Sequence, residues 1–104
     1  MARSKNKVEF GDFQTPAELA SRVCNLIKQS GVNPVSLIEP TCGVGNFVFS
    51  ALEHFPSIKK GIALDINPTY TQMVKKGIGK DKSKVEIQTE DFFQFNWNKY
   101  IANL

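Results

Sequence analysis

The sequence predicts an α/β fold in which helices cover a parallel β-sheet. Helical and strand patterns alternate through most of its 104 residues, and each predicted strand ends in an acidic or polar residue. The predicted helices are 16–29, 47–55 and 68–78, and the predicted strands are 35–39, 61–65 and 85–89. Parallel strands connected in this way require right-handed crossovers, so all three strand ends should lie at one edge of the sheet.

Composition limits the chain to one domain. With 41% hydrophobic residues and eight Phe, it can supply one core without disulfides. The net charge of +3 is compatible with an anionic partner or simply with solubility, since the lysines are spread along the chain. Cys24 and Cys42 have no further metal ligands at suitable spacing, and no signal peptide or membrane-length apolar run occurs. We therefore expect a cytoplasmic protein with no metal site and no membrane association.

The first helix should follow a loose segment. Residues 1–12 are polar and basic, which is typical of a flexible arm, and the ordered domain is expected over 13–104. Thr15-Pro16-Ala17-Glu18 has the pattern of a capping box, with Thr15 as the N-cap. Spacing then predicts one buried helix face, made of Leu19, Val23, Leu26 and Ile27.

A glycine turn follows the first predicted strand. Ile38-Glu39-Pro40-Thr41-Cys42-Gly43-Val44-Gly45-Asn46-Phe47 joins that strand to an amphipathic helix. Its two glycines would let the backbone bend sharply and let a ligand approach the main chain closely.

The rest of the pattern is weaker. Asn67-Pro68 should cap the third helix, whose apolar positions are Tyr70, Met73, Val74 and Ile78. A lysine-rich loop over 80–84 leads to the alternating third strand, and residues 94–104 have no clear period.

Three acids should meet at the carboxyl edge of the sheet, where ligands bind in such folds. They are Glu39, Asp65 and Asp91. Asp65 lies 20 residues beyond Gly45, a position suited to holding a ribose diol; the alternative is a cap for the Asn67-Pro68 helix. Val48 stands where a dinucleotide fingerprint has its third glycine, and Glu39 would repel a pyrophosphate. A ligand with a ribose and an ammonium, such as S-adenosylmethionine, suits the site better.

Four segments carry a family resemblance. Glu39 to Phe47 resembles the first cofactor motif of class I S-adenosylmethionine-dependent methyltransferases, in the form found in N6-adenine DNA methyltransferases of restriction-modification type. Phe13-Gln14-Thr15-Pro16, Asp65-Ile66-Asn67-Pro68 and Asp91-Phe92-Phe93 resemble three further motifs, in the same order. The resemblance implies a partial Rossmann-like methyltransferase domain with three parallel strands in the order 3-2-1.

The resemblance also implies roles for eleven cofactor-binding residues. Thr15 would contact the methionine carboxylate, and Glu39, Pro40, Gly43 and Gly45 would shape the methionine pocket. Asn46 and Phe47 would close that pocket. Asp65 would hold the ribose hydroxyls, Ile66 and Phe92 would lie beside the adenine, and Asp91 would accept from its amino group. For Phe47 and Phe92 the alternative is core packing.

The chain departs from this family in one motif. An Asn or Asp followed by Pro-Pro and an aromatic residue binds the target amine in such enzymes, and this sequence contains no Pro-Pro. We therefore expect the cofactor part of a longer enzyme, without catalytic residues, the catalytic strand or the target-recognition domain, in which DNA is bound by the missing part. The 104 residues should bind the cofactor weakly or not at all and should not methylate.

Several alternatives remain open at this point. The parent could methylate RNA adenine or a protein glutamine, or the chain could be a small basic nucleic-acid-binding module. Without a fourth strand, the first-strand edge at 35–39 would be bare. We expect a second copy, the chain's own tail or a crystal neighbour to cover it.

Overall fold

A three-stranded parallel sheet forms the centre of the computed structural model, which describes residues 14–104. The strands are β1 (Ser36–Glu39), β2 (Lys60–Asp65) and β3 (Val85–Thr89), and β2 lies between the other two. In this register Leu37 pairs with Gly61, and Ala63 pairs with Ile87. The predicted order 3-2-1 is confirmed, so the carboxyl ends of all three strands meet at one edge.

Within residues 14–104, four α-helices and one 3₁₀ helix accompany the sheet. The helices are α1 (Ala17–Gln29), α2 (Asn46–His54), α3 (Pro68–Gly77) and α4 (Trp97–Ala102), with a 3₁₀ helix over Gly79–Ser83. Helix α1 packs on α2, and α3 packs on β2 and β3. The 3₁₀ helix replaces the predicted lysine-rich loop, and α4 lies where the sequence indicated no regular structure.

The core lies between the sheet and the helices in two clusters. One contains Val48 of α2, Val74 of α3 and Ala63 of β2, all fully buried. The other joins Cys24 of α1 to Ala51 of α2. Of the apolar positions predicted on α3, Val74 and Ile78 are buried and Tyr70 is half-buried, whereas Met73 is exposed. Asn67 caps α3 as predicted, because its side chain accepts a hydrogen bond from the Thr69 amide at 2.9 Å.

The predicted buried face of α1 is wrong. Ala20 and Cys24 are the buried residues of this helix. Of the four predicted residues, Val23 is half-buried, whereas Leu19, Leu26 and Ile27 are exposed, Leu26 by 65%. Small residues contact α2 because they let the two helices approach closely. The larger apolar residues therefore lie on a surface that no described part of the chain covers.

The predicted capping box is also wrong. Pro16 is the N-cap of α1, and no side chain caps this helix. Glu18 pairs instead with Arg22 one turn later, at 2.9 Å. The predicted arm over 1–12, and Phe13 of the Thr-Pro segment, lie outside the described residues.

Candidate functional site

The glycine turn, residues 40–45, is held by hydrogen bonds from all of its amide groups. The turn begins at Pro40, which has no amide hydrogen, and the next five amides each have an acceptor within the chain. The acceptors are Glu39 Oε1 for Thr41 (3.2 Å), Leu64 O for Cys42 (2.7 Å), Asp65 Oδ2 for Gly43 (2.9 Å), Gln14 Oε1 for Val44 (3.0 Å) and Cys42 O for Gly45 (2.9 Å). The turn is therefore preorganised, and none of its amides remains to bind a phosphate.

Both glycines are required by the backbone of this turn. Gly43 has φ +52° and Gly45 has φ +94°, conformations that residues with a side chain rarely adopt. A Cβ atom at Gly45 would lie 2.9 Å from both Phe49 and Val74. A Cβ atom at Gly43 would collide with the Gln14 carboxamide, which lies directly over this glycine. The close approach that the sequence predicted is thus made by side chains of the chain itself.

Asp65 connects the turn to the second strand. Its Oδ2 atom accepts from the Gly43 amide and its Oδ1 atom accepts from the Asn67 amide, both at 2.9 Å. The strand-end cap considered from the sequence is therefore present. A carboxylate offers about four acceptor positions, so Asp65 retains acceptor capacity for a ligand.

Burial changes the acidity of two groups beside the turn. Burial raises the pKa of the Glu39 carboxyl, the Thr41 amide partly offsets this, and the nearby negative charge of Asp65 raises the pKa further. Burial, with Asp65 and Glu39 adding to it, raises the pKa of the Cys42 thiol to about 12. Cys42 is therefore a neutral packing residue at physiological pH, and two neighbouring carboxylates give the site an excess of negative charge.

An open cavity of about 600 Å³ lies beside the turn at the carboxyl edge of β2 and β3. Its lining combines acids with apolar and aromatic side chains. The lining residues are Pro40, Thr41, Asp65, Ile66, Asn67, Tyr70, Glu90, Asp91, Phe92 and Phe93.

The structure brings five of the eleven predicted site residues together in this cavity: Pro40, Asp65, Ile66, Asp91 and Phe92. Sequence reasoning missed the other five as cavity residues. Four of these, Thr41, Asn67, Glu90 and Phe93, directly adjoin predicted residues, so their position next to a strand end was the available signal. Tyr70 was interpreted as a core residue of α3.

The other six predicted residues lie outside the cavity lining. Glu39, Gly43, Gly45 and Asn46 form or flank the turn, and the Thr15 carbonyl accepts from Asn46 Nδ2 at 2.7 Å. Phe47 packs against the cluster around Cys24, which agrees with the core-packing alternative.

Asp91 and Phe92 are positioned by the segment that leads into α4. Asp91 Oδ1 accepts from the Phe93 amide at 2.9 Å. The indole of Trp97 donates to the Phe92 carbonyl at 2.9 Å, and its ring lies 5.6 Å from the Phe92 ring. An aromatic wall beside two acids can stack on a planar ring and accept from its amino group.

Over 14–104, no group of three or more His, Cys, Asp or Glu side chains could hold a metal ion. No helix within the same range is long and apolar enough to cross a membrane.

The chain has a close relative among characterised proteins. It is 46% identical over 101 residues to the type II methyltransferase M.NspV of Nostoc sp.. The match covers 96% of this chain and 21% of the relative, so the chain spans about one fifth of that protein. No family model matches the chain.

Solved structures share the fold. A Pyrococcus horikoshii protein described as an RNA methyltransferase aligns with a TM-score of 0.70 at 21% identity, covering 81% of this chain and 42% of that one. An RNA methyltransferase from Salinibacter ruber, solved with S-adenosyl-L-homocysteine, aligns at TM-score 0.62 and 20% identity, covering 81% and 54%. A modification subunit described as part of a type I restriction enzyme from Vibrio vulnificus aligns at TM-score 0.64 and 16% identity, covering 95% and 23%. The chain is thus related in sequence to one part of a type II methyltransferase and has the Rossmann-like methyltransferase fold.

Proposed function

We propose that the chain is the cofactor-binding part of an S-adenosylmethionine-dependent methyltransferase that acts on the N6 atom of adenine in DNA. The observation that carries this proposal is the cavity between Asp65 and Asp91, next to a turn whose amides are all occupied. Its volume of about 600 Å³ is in the range of small-molecule sites.

The adenosine part of the cofactor would occupy the cavity. The ribose hydroxyls would donate to the acceptor positions that Asp65 retains, and each such charge-assisted bond contributes about 1.5–3 kcal/mol. Ile66 is 70% exposed and lies on the same cavity as Phe92, so the two can contact the faces of the adenine. Asp91 supplies the acceptor for the adenine amino group.

The methionine part would lie toward the glycine turn. The carboxylates of Glu39 and Asp65 favour a cationic group there and disfavour a pyrophosphate, for which the turn has no amide left. Thr15 and Asn46 lie at the same turn and remain the proposed contacts of the methionine end. When bound, the cofactor would supply a methyl group on a positive sulfonium centre.

The substrate is proposed from sequence rather than from the cavity. The type II methyltransferase relative and the restriction-modification form of the Glu39–Phe47 motif support DNA adenine. The RNA methyltransferases among the similar structures keep an RNA adenine as the alternative. Since this chain has no Pro-Pro motif, we expect no methyl transfer by the 104 residues alone. A cytoplasmic location is part of the same proposal.

Because the cavity lies within the described residues, we propose weak binding rather than none by this chain, and thermal unfolding with saturating S-adenosylhomocysteine tests it. A rise in melting temperature that Asp65→Asn reduces would support it, because Asn keeps an acceptor but lacks the charge. No rise, together with DNA binding that weakens steeply with salt, would instead support a basic nucleic-acid-binding module. Methyl transfer to adenine-containing DNA by the isolated chain would contradict the expected inactivity.

We also propose that two copies associate through the open side of the sheet. We propose that the interface includes the exposed apolar residues of α1 and of the β1 side, and we name this set, Leu19, Leu26, Ile27, Val35 and Ile38, the apolar edge surface; Val35 is 58% exposed. Helix α4 lies beside Lys60 and Glu86, so the tail leaves this edge open. Unpaired strand edges next to exposed apolar side chains favour association. Sedimentation equilibrium should detect a concentration-dependent dimer, and a monomer at all concentrations would refute this.

A further inference from the structure

Two reciprocal hydrogen bonds connect the segment before α1 to the glycine turn. The Gln14 side chain accepts from the Val44 amide at 3.0 Å, and the Asn46 side chain donates to the Thr15 carbonyl at 2.7 Å. Each bond joins a side chain of one segment to the backbone of the other. All four residues are half-buried, so water competes weakly for these bonds.

The Gln14 contact differs from the other hydrogen bonds of the turn because its acceptor lies neither in the turn nor on a strand. The carbonyl of Leu64 on β2 accepts from the Cys42 amide, and the carbonyl of Cys42 accepts from the Gly45 amide. The strand-end acids Glu39 and Asp65 accept from the Thr41 and Gly43 amides. Val44 alone among these five amides depends on a residue about 30 positions away. The Gln14 carboxamide also lies against the open face of Gly43, where a Cβ atom would collide with it.

We infer that Gln14 is a positioning residue that holds the methionine side of the proposed cofactor site, and this inference rests on the proposed function. Without its carboxamide, the Val44 peptide can rotate, because glycines on both sides of Val44 give the backbone freedom to do so. The adenosine side depends on Asp65, Asp91 and Phe92 and would change little. Gln14 thereby makes binding of the amino-acid half depend on the segment before α1.

The first arm of the test needs no ligand. In the full 104-residue chain, Gln14→Ala should speed hydrogen exchange of the Val44 amide about tenfold, while the Gly43 amide, held by Asp65, stays protected. Gln14→Glu should restore protection, since its carboxylate can accept the same bond. Gln72→Ala is the matched control, because Gln72 is exposed on α3. Unchanged Val44 exchange in Gln14→Ala would overturn the inference.

The second arm compares two ligands by NMR titration. Gln14→Ala should weaken S-adenosylhomocysteine binding about 5- to 10-fold and change adenosine binding less than twofold. The role of Gln14 would be overturned if Gln14→Ala weakened binding of both ligands equally, strengthened binding of S-adenosylhomocysteine, or changed neither affinity. If the unaltered chain binds neither ligand, the proposed function fails and this role fails with it. The inference alone fails if the unaltered chain binds both ligands and Gln14→Ala binds each of them as tightly as the unaltered chain does.

Discussion

The carboxyl edge of the sheet and the apolar edge surface differ in how far contacts within the chain pair their polar groups and cover their apolar side chains. At the carboxyl edge, five consecutive amides and the Asp65 carboxylate are paired within the chain, and an open cavity lies beside them. At the apolar edge surface, Leu26 and Val35 are largely exposed, and within residues 14–104 β1 pairs with β2 alone. We propose that the first region receives a small ligand and that the second contacts another copy of the chain.

Asp65→Ala should have the largest effect on this contrast. It removes the acceptor of the Gly43 and Asn67 amides, each a bond to a charged group, so the free energy of unfolding should fall by about 3 kcal/mol. Cofactor affinity should fall more than 100-fold, since the ribose loses its acceptor. Urea unfolding measures the free energy of unfolding, and NMR titration measures the cofactor affinity. Asp91→Ala is the control for stability, since the Asp91 carboxylate accepts from the Phe93 amide alone among the described residues. A loss as large as that of Asp65→Ala would contradict this difference.

Gly45→Ala tests whether packing or backbone strain fixes the turn. The new Cβ would meet Phe49 and Val74 at 2.9 Å in a left-handed backbone conformation, so we expect a loss of about 2–4 kcal/mol in urea unfolding. Gly31→Ala is a matched control, since Gly31 has φ +89° and no atoms within 4 Å of its Cβ position. Gly31→Ala should lower the free energy of unfolding by about 1–2 kcal/mol, through backbone strain alone. Equal losses would mean that contact with the core contributes nothing at Gly45.

Leu26→Glu tests the apolar edge surface. Because Leu26 is exposed, the monomer should lose less than about 0.5 kcal/mol of unfolding free energy. The dimer should dissociate in sedimentation equilibrium, since a charge would be buried in the interface. Leu104→Glu, at an exposed Leu outside this surface, should leave association unchanged. If Leu26→Glu leaves the dimer intact, the interface lies elsewhere, and if both variants dissociate it, the effect of Leu26→Glu is not specific to this surface.

Glu39→Gln should give the smallest effect. The pKa of Glu39 is raised in the folded chain by burial and by Asp65, so the folded state binds its proton more tightly than the unfolded state. The Glu39 contribution to stability is therefore lost as the pH rises through the interval between the two pKa values. Gln keeps an acceptor for Thr41 and removes this loss, so the variant should be slightly more stable near pH 7 and show a flatter pH dependence below it. Urea unfolding at pH 5 and pH 7 measures this. If the free energy of unfolding falls between these pH values by the same amount in Glu39→Gln as in the unaltered chain, the explanation is contradicted.

Strand ends and turns were predictable from sequence because their signals are local. Asp65 ends an apolar run, Asp91 lies two positions beyond an alternating strand, and parallel topology brings both to one edge. The Asn67 cap joins Asn67 to Thr69, only two positions further along the chain. Residue type and spacing were sufficient in each case.

The errors have physical causes that lie outside a local pattern. Helix periodicity identified an apolar face on α1, but the spacing cannot say whether a partner covers Leu19 and Leu26. The role of Gln14 depends on a contact across 30 positions, which no periodicity encodes. Thr15 lost the cap position because Pro16 has the extended backbone of the N-cap, with φ −59° and ψ 144°.

NMR titration of the isotopically labelled chain with S-adenosylhomocysteine and, separately, with NAD⁺ tests the central claim most directly. The account predicts weak, saturable shifts for S-adenosylhomocysteine at residues 40–46, 65–67 and 90–93. NAD⁺ shares the adenosine but carries a pyrophosphate, so it should bind at least tenfold more weakly. Equal binding of the two ligands, or no shifts with S-adenosylhomocysteine, would contradict the claim that this edge holds a methyl donor.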